Sequence, residues 1–255
     1  MLLAFDIGNT NTVVGVFEGE ELAAEFRLKT DRRRTLDEYF VLFNAFLAGR
    51  FERRPVCEAA VISSVVPPIT DLFVRLASER LGVKVLVVEP GIKTGISIKT
   101  LNPGAVGADR VVNAVAAKCF YGLPALVIDF GTATSFDYID ADSNYLGGII
   151  ASGIEISMEA LVSNTAKLPR IELTWPEQAL GRDTVAAMQS GTVLGYHYLV
   201  EGLIERLSQE VGPFAKVVAT GGLGALMAAH SKRIQVFDPY LTLKGMQHLW
   251  RLNQG

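Results

Sequence analysis

Two stretches of this chain repeat one another, and the repeat limits the fold more than any other feature. LLAFDIGNTNTVVGVF, residues 2–17, and ALVIDFGTATSFDYID, residues 125–140, share one pattern. Each reads as an apolar strand, an aspartate, an apolar residue, a glycine, three further residues, a Thr or Ser, and a second strand. Asp6 and Asp129 stand close to half of the 255-residue chain apart. Self-similarity on that scale means that two structural units follow one plan, and it governs how every shorter segment is read.

The signals after each copy arrive in matching order. In the first half the pattern predicts strands over 2–6, 12–17 and 22–28, then a helix over 36–47 with Leu36, Phe40, Phe43 and Leu47 on one face. A fully apolar strand over 59–64 ends in serines, Pro67-Pro68 opens a helix, and a strand covers 83–88. A long helix is expected from Asn102-Pro103 through Val106, Val111, Val115 and Phe120. The second half predicts strands over 134–139 and 144–150, a helix from 155, and a long helix over 184–207. The strand 216–220, Gly221-Gly222, a short helix, a strand over 234–237 and a C-terminal helix close it. The class is α/β, with each half a β-meander followed by helix, strand and helix. The two halves are expected to face each other across a cleft.

Composition removes several function classes. With 24 Lys+Arg against 27 Asp+Glu there is no bias toward nucleic acid or an anionic membrane. Arg32-Arg33-Arg34 sits among Asp31, Asp37 and Glu38 and reads as a solvated loop. Cys57 and Cys119 are far apart and have no histidine cluster nearby, which argues against zinc or a disulfide framework and for a reducing, cytoplasmic setting. His197, His230 and His248 are scattered and read as ordinary core or surface residues. Asp6 breaks the first apolar run, which is not a signal peptide, and no run approaches the roughly 20 residues of a membrane span.

The chemistry lies where the repeat puts carboxylates at strand ends. A carboxylate there is costly unless it holds a cation or a satisfied hydrogen-bond network. Glycines two positions on let backbone amides approach a ligand, and Thr, Asn and Ser side chains add neutral donors. Such a turn suits phosphate oxygens, with the aspartate holding Mg²⁺ directly or through water. One such turn alone reads as a structural hairpin; two related by a repeat do not. VVATGGLGALMAA offers a partial dinucleotide fingerprint with Asp238 beyond it, but Met227 stands where the third glycine belongs. A Gly-Gly turn on which a nucleoside can lie flat is the better reading. Gly107-Ala108-Asp109-Arg110 places adjacent opposite charges in an otherwise small, apolar helix. It is a surface pair worth under about 1 kcal/mol, or a proton acceptor and an anion holder of a phosphoryl-transfer site.

Taken in order, the motifs D-x-G-N-T-N, N-P-x-x-V-G-A-D-R-V-V-N-A, D-F-G-T-A-T, G-G-x-I…E-I-S-M-E-A-L…T-A-K-L-P, T-V-x-A-M-Q-S-G and A-T-G-G-L resemble type III pantothenate kinase from Asp6 to about residue 243. The chain departs from that pattern at Thr100, where the family usually has tyrosine, and at Ser152, which precedes Gly153 in place of proline. The resemblance implies duplicated actin-like (ribonuclease H-like) domains, 1–118 and 119–255, facing a nucleotide cleft. It implies ATP-dependent phosphorylation of pantothenate to 4'-phosphopantothenate, the first step toward coenzyme A. Asp6, Ile7, Gly8, Asn9, Thr10, Asn11, Thr12 and Val13 would form the ATP phosphate loop, with Asp6 serving Mg²⁺. Thr132 would touch ATP, and Gly221 and Gly222 would line its nucleoside. Asp109 would be the general base, and Gly107, Ala108, Asp109 and Arg110 part of the pantothenate pocket. Asp129 would bind a monovalent cation, K⁺ or NH₄⁺. Thr184 would reach pantothenate from the partner subunit of a homodimer with a shared active site. The alternatives are another small-molecule kinase of the same superfamily, or a non-catalytic accessory regulator.

Overall fold

A computed structural model describes residues 1–53 and 55–254. The chain groups into two units. The first holds Met1–Ile96, Leu101–Ala116 and the segment from Tyr240 onward; the second holds Ser97–Thr100 and Ala117–Pro239. The cut between 118 and 119 that the resemblance implies lies next to the break at Ala116/Ala117, and the C-terminal helix groups with the first unit.

In the first unit β1 (Leu2–Ile7), β2 (Asn11–Glu18) and β3 (Glu21–Lys29) form the antiparallel meander, and β4 (Ala59–Ser64) and β5 (Lys84–Val87) add in parallel to the other side of β1. The order is β3-β2-β1-β4-β5. Alternation assigns the faces. Leu3, Phe5 and Ile7 pack with α1 (Leu36–Arg50) and α2 (Pro67–Arg75), whose anchors are Tyr39, Phe43, Leu47, Ile69 and Phe73. Tyr39 is fully buried and donates its hydroxyl to the Asp31 carbonyl, so the phenol enters the core with its polar end satisfied. Leu2 and Ala4 face the other way. They meet Val112 and Val115 of α3 (Ala108–Tyr121) and Leu243, Met246 and Leu249 of α8 (Leu241–Leu252). Gly245 explains why α8 settles here: a Cβ would lie 2.6 Å from the Val112 carbonyl, so only glycine permits the approach to α3.

The second unit repeats the plan. β7 (Ala125–Phe130), β8 (Ala133–Ile139) and β9 (Asn144–Ser152) make the meander, and β10 (Lys216–Gly221) and β11 (Val236–Phe237) add in parallel beside β7. The order β11-β10-β7-β8-β9 is that of the first sheet read from its other edge, and β6 (Ser97–Ile98) extends it beside β9. α4 (Ile154–Ser163), α5 (Thr184–Gln189), α6 (Gly195–Val211) and α7 (Gly224–His230) complete the unit. A π-helical turn, Ser190–Leu194, joins α5 to α6, so the long helix expected over 184–207 is one run with an internal distortion. The core joins Leu126, Ile128 and Phe130 to Val193, Tyr196, Val200, Ile204 and Met227. The helix expected from Asn102-Pro103 begins instead at Ala108, after a short 3₁₀ turn at Pro103–Ala105.

Candidate active site

The register places the two strand-end carboxylates equivalently. Asp6 pairs with Val13 on β2 and Ser63 on β4; Asp129 pairs with Ser135 on β8 and Thr220 on β10. The repeat slips by one residue from its reading in the sequence. Thr12 lies opposite Ile7 and Thr134 opposite Phe130, so Thr134, rather than Ser135, is the counterpart of Thr12. Both threonines are buried and hydrogen-bonded, Thr12 to the Thr30 hydroxyl at 2.9 Å and Thr134 to the Tyr196 hydroxyl.

In the first unit the Gly8 N–H donates to the Asn11 carbonyl at 3.0 Å and closes a turn whose Asn9, Thr10 and Asn11 are exposed. Asp6 and Gly8 are half-buried. Asp6 shares a sheet face with its pair Val13, and Val13 packs against the Leu2–Ala4–Val112 cluster together with Ala108. Ala108 opens α3, Asp109 follows it, and a Cβ on Gly107 would lie 3.4 Å from Val65, just past the end of β4. β4 runs parallel to β1. Asp6, Ser63 and Asp109 therefore share one face and one end of the first sheet. The Asp109 carboxylate accepts from the Arg110 N–H at 2.8 Å and crowds Gly107, where a Cβ would lie 2.6 Å from Oδ1. Asp109 and Arg110 are both half-buried at the N-terminus of α3, and the Asp109 carboxylate sits at the helix end that favours an anion.

In the second unit the Gly131 N–H donates to the Ala133 carbonyl at 3.1 Å, and Thr132 is exposed. Gly221 has φ +88, which favours glycine, and a Cβ there would lie 2.6 Å from the Phe130 carbonyl and 2.7 Å from Asp129 Oδ1. Those two oxygens converge on a cradle that any side chain would fill. A Cβ on Gly222 would meet nothing within 4 Å. The dinucleotide reading fails on packing. Met227 is buried in the core, a Cβ on Gly224 would strike the Phe237 ring, and Asp238 accepts from the Tyr121 hydroxyl at 2.7 Å. Gly153 donates to the Thr132 carbonyl, and α4 starts at the next residue, so Ser152 in place of proline leaves that turn tight.

Thr184 is the exposed first residue of α5, behind Asp183, whose carboxylate caps the helix by accepting from the Ala186 N–H at 2.9 Å. It lines an open apolar groove of about 730 Å³ with Met158, Leu161, Met188, Tyr196 and Leu199. Among the described residues no three His, Cys, Asp or Glu side chains come together as a metal cage. No helix there is long and apolar enough to cross a membrane. Sequence reading missed Ser63. Its only signal was a pair of serines ending an apolar strand.

The profile of the type III pantothenate kinase family matches residues 2–206. Solved structures share the fold over nearly the whole chain. A conserved protein of Campylobacter jejuni, provisionally assigned as a Baf family transcriptional activator, is 20% identical with a TM-score of 0.63, covering 98% of both chains. The activator of 2-hydroxyisocaproyl-CoA dehydratase from Clostridium difficile, solved with ADPNP, is 14% identical with a TM-score of 0.54 over 99% of this chain and 94% of its own. The inorganic polyphosphate/ATP-glucomannokinase of Arthrobacter sp. strain KM is 16% identical with a TM-score of 0.50 over 98% and 97%. All three have the two-sheet, actin-like architecture found here.

Proposed function

This chain belongs to the type III pantothenate kinase family, and from that premise we propose that it transfers the γ-phosphoryl group of ATP to pantothenate, giving 4'-phosphopantothenate. Membership makes it a phosphotransferase that uses ATP and a small-molecule acceptor. The phosphotransfer reading rests above all on the placement of Asp109, and pantothenate as acceptor on the family match. Asp109 opens α3 at the same face and end of the sheet as Asp6, beside Arg110.

In this reading the Asp109 carboxylate takes the proton of the pantothenate hydroxyl as that oxygen attacks the γ-phosphorus. The bond to the β–γ bridging oxygen breaks, and ADP leaves with the electron pair. Arg110 holds the pantothenate carboxylate. Asn9, Thr10, Asn11 and the amides of the 8–13 turn receive the phosphates. Asp6, at its strand end, suits Mg²⁺, which binds through one or two carboxylates, phosphates and waters and neutralises phosphate charge. Asp129 and the Phe130 carbonyl, converging beside Gly221, suit a monovalent cation such as K⁺ or NH₄⁺.

The apolar groove beside Thr184 supports a homodimer. Tyr198 is 69% exposed, Val185 and Leu199 are exposed along α5 and α6, and Leu161 of α4 is exposed in the same groove as Leu199, an apolar patch of the kind that marks an interface. Asp109 and Arg110 would then act with Thr184 of the partner subunit. A coupled ADP-release assay tests the function. With ATP, Mg²⁺ and K⁺ present, adding pantothenate should start ADP release. Release with a sugar or a small carboxylate, and none with pantothenate, would reassign the acceptor.

A further inference from the structure

Among the described residues two buried side-chain oxygens have no hydrogen-bond partner, Ser63 Oγ and Thr100 Oγ1. Folded chains leave few such groups unpaired, because each gives up water and gains nothing in return. Ser63 is 0% exposed, and its neighbours Ala59, Ala60, Val61 and Ile62 are buried and apolar, so the fold has no visible use for a hydroxyl there. Position gives it a use. Ser63 pairs with Asp6 across the parallel β1/β4 ladder, and register partners in parallel strands project from the same face. The next residue behaves differently. Ser64 Oγ accepts from the Val66 N–H at 3.1 Å and from the Thr70 hydroxyl at 2.7 Å, which anchors the start of α2. The second unit keeps a hydroxyl at the counterpart of Ser63: Thr220 pairs with Asp129 and is buried.

We propose that Ser63 is a positioning residue of the phosphate turn, its hydroxyl hydrogen-bonding a water of the hydrated Mg²⁺ that comes with the nucleotide to Asp6. The inference rests on the kinase reading. Mg²⁺ gives up its waters reluctantly, so a site with one carboxylate needs neutral groups to hold the remaining hydration shell. A serine hydroxyl can donate or accept as that shell requires, and its burial fixes its direction.

The test compares the full-length wild type with Ser63→Ala and Ser64→Ala, using AMP-PNP with Mg²⁺ and AMP-PNP with EDTA as probes. Ser63→Ala should melt at or above the wild-type temperature without ligand, since no internal bond is lost. It should bind Mg²⁺–AMP-PNP about tenfold more weakly, with little change in EDTA. Ser64→Ala should melt lower and bind as wild type does. Three results would overturn the proposal: unchanged Mg²⁺–AMP-PNP affinity in Ser63→Ala, a melting loss in ligand-free Ser63→Ala matching that of Ser64→Ala, or weakening that is equal with and without Mg²⁺. A wild type that binds Mg²⁺–AMP-PNP yet leaves pantothenate unphosphorylated refutes only the assigned acceptor. A wild type that does not bind it overturns both.

Discussion

In the first unit four residues, 8–11, span the turn between the paired Ile7 and Thr12; in the second, three residues, 131–133, span it between Phe130 and Thr134. The strand order, the aspartate and the buried threonine are the same in both. The lost residue changes the chemistry. The longer turn exposes Asn9, Thr10 and Asn11, whose side chains and amides can donate to an anion. The shorter one has backbone pressed against it: a Cβ on Gly153 would fall on the carbonyl oxygens of Gly131 and Thr132, and one on Gly221 would meet the Phe130 carbonyl. Donors dominate the first turn and carbonyl oxygens the second. The proposed division of labour, phosphate at one copy and a cation at the other, would use this difference between the turns.

The largest effect should come from the first unit, which also carries the proposed base. Asp109→Asn should keep its fold by circular dichroism and lose kcat by roughly 10²–10⁴-fold; near-normal turnover would remove Asp109 from the mechanism. Asp109→Asn and Thr184→Val chains, each impaired as homodimers, should regain activity on subunit exchange. One pocket of the mixed dimer then has both residues intact, and no recovery would end the shared-site reading. Asp129→Ala should act more selectively. Turnover should lose its preference for K⁺ over Na⁺, and full retention of that preference would place the cation elsewhere.

Two glycines, Gly8 in the first turn and Gly221 of β10 packed beside the second, separate the two corners by stability. Gly221→Ala forces a side chain into positive φ against Asp129 and the Phe130 carbonyl, and the backbone term alone is about 1–3 kcal/mol. Gly8 has no positive φ, and a Cβ there lies 3.1 Å from the Asn11 carbonyl, so Gly8→Ala should be the milder change in chemical denaturation. Equal losses would mean that the two strand-end corners are equally constrained.

The sequence disclosed what depends on local pattern. Apolar runs marked β1, β4 and β7 nearly to the residue, and the repeat located both aspartates before any coordinate. It could not disclose what packing decides. Whether α8 covers the first or the second sheet turns on Gly245 meeting the Val112 carbonyl, a contact between residues distant in sequence. β6 pairs through two residues only, too few to show a period. Ser63 looked like the polar end of a strand, and only the register with Asp6 and the absence of a partner among the described residues set it apart.

The smallest effect expected comes from a position where the two units match in backbone and differ in polarity. The Val88 N–H donates to the Ile62 carbonyl at 2.8 Å, and the Asp238 N–H donates to the Ala219 carbonyl at 2.9 Å, the equivalent bond beside the equivalent strand. Val88 and Asp238 are both buried. The first unit thus closes this corner with a methyl pair, the second with a carboxylate that accepts from Tyr121. Burial, and then the bond to Asp238, push the Tyr121 phenol above its ordinary value. A raised folded-state value adds stability that is complete below the unfolded phenol's value near 10 and is lost as pH climbs past it toward the folded value. Wild type should therefore lose denaturation free energy above pH 10 in part through Tyr121. Tyr121→Phe should be about 1–3 kcal/mol less stable at neutral pH, because a buried carboxylate loses a donor, and its alkaline decline should be shallower. An unchanged alkaline slope in that variant would show that the phenol contributes nothing there, leaving the carboxylate at 238 as a polarity difference between the units without a stabilising partner in Tyr121.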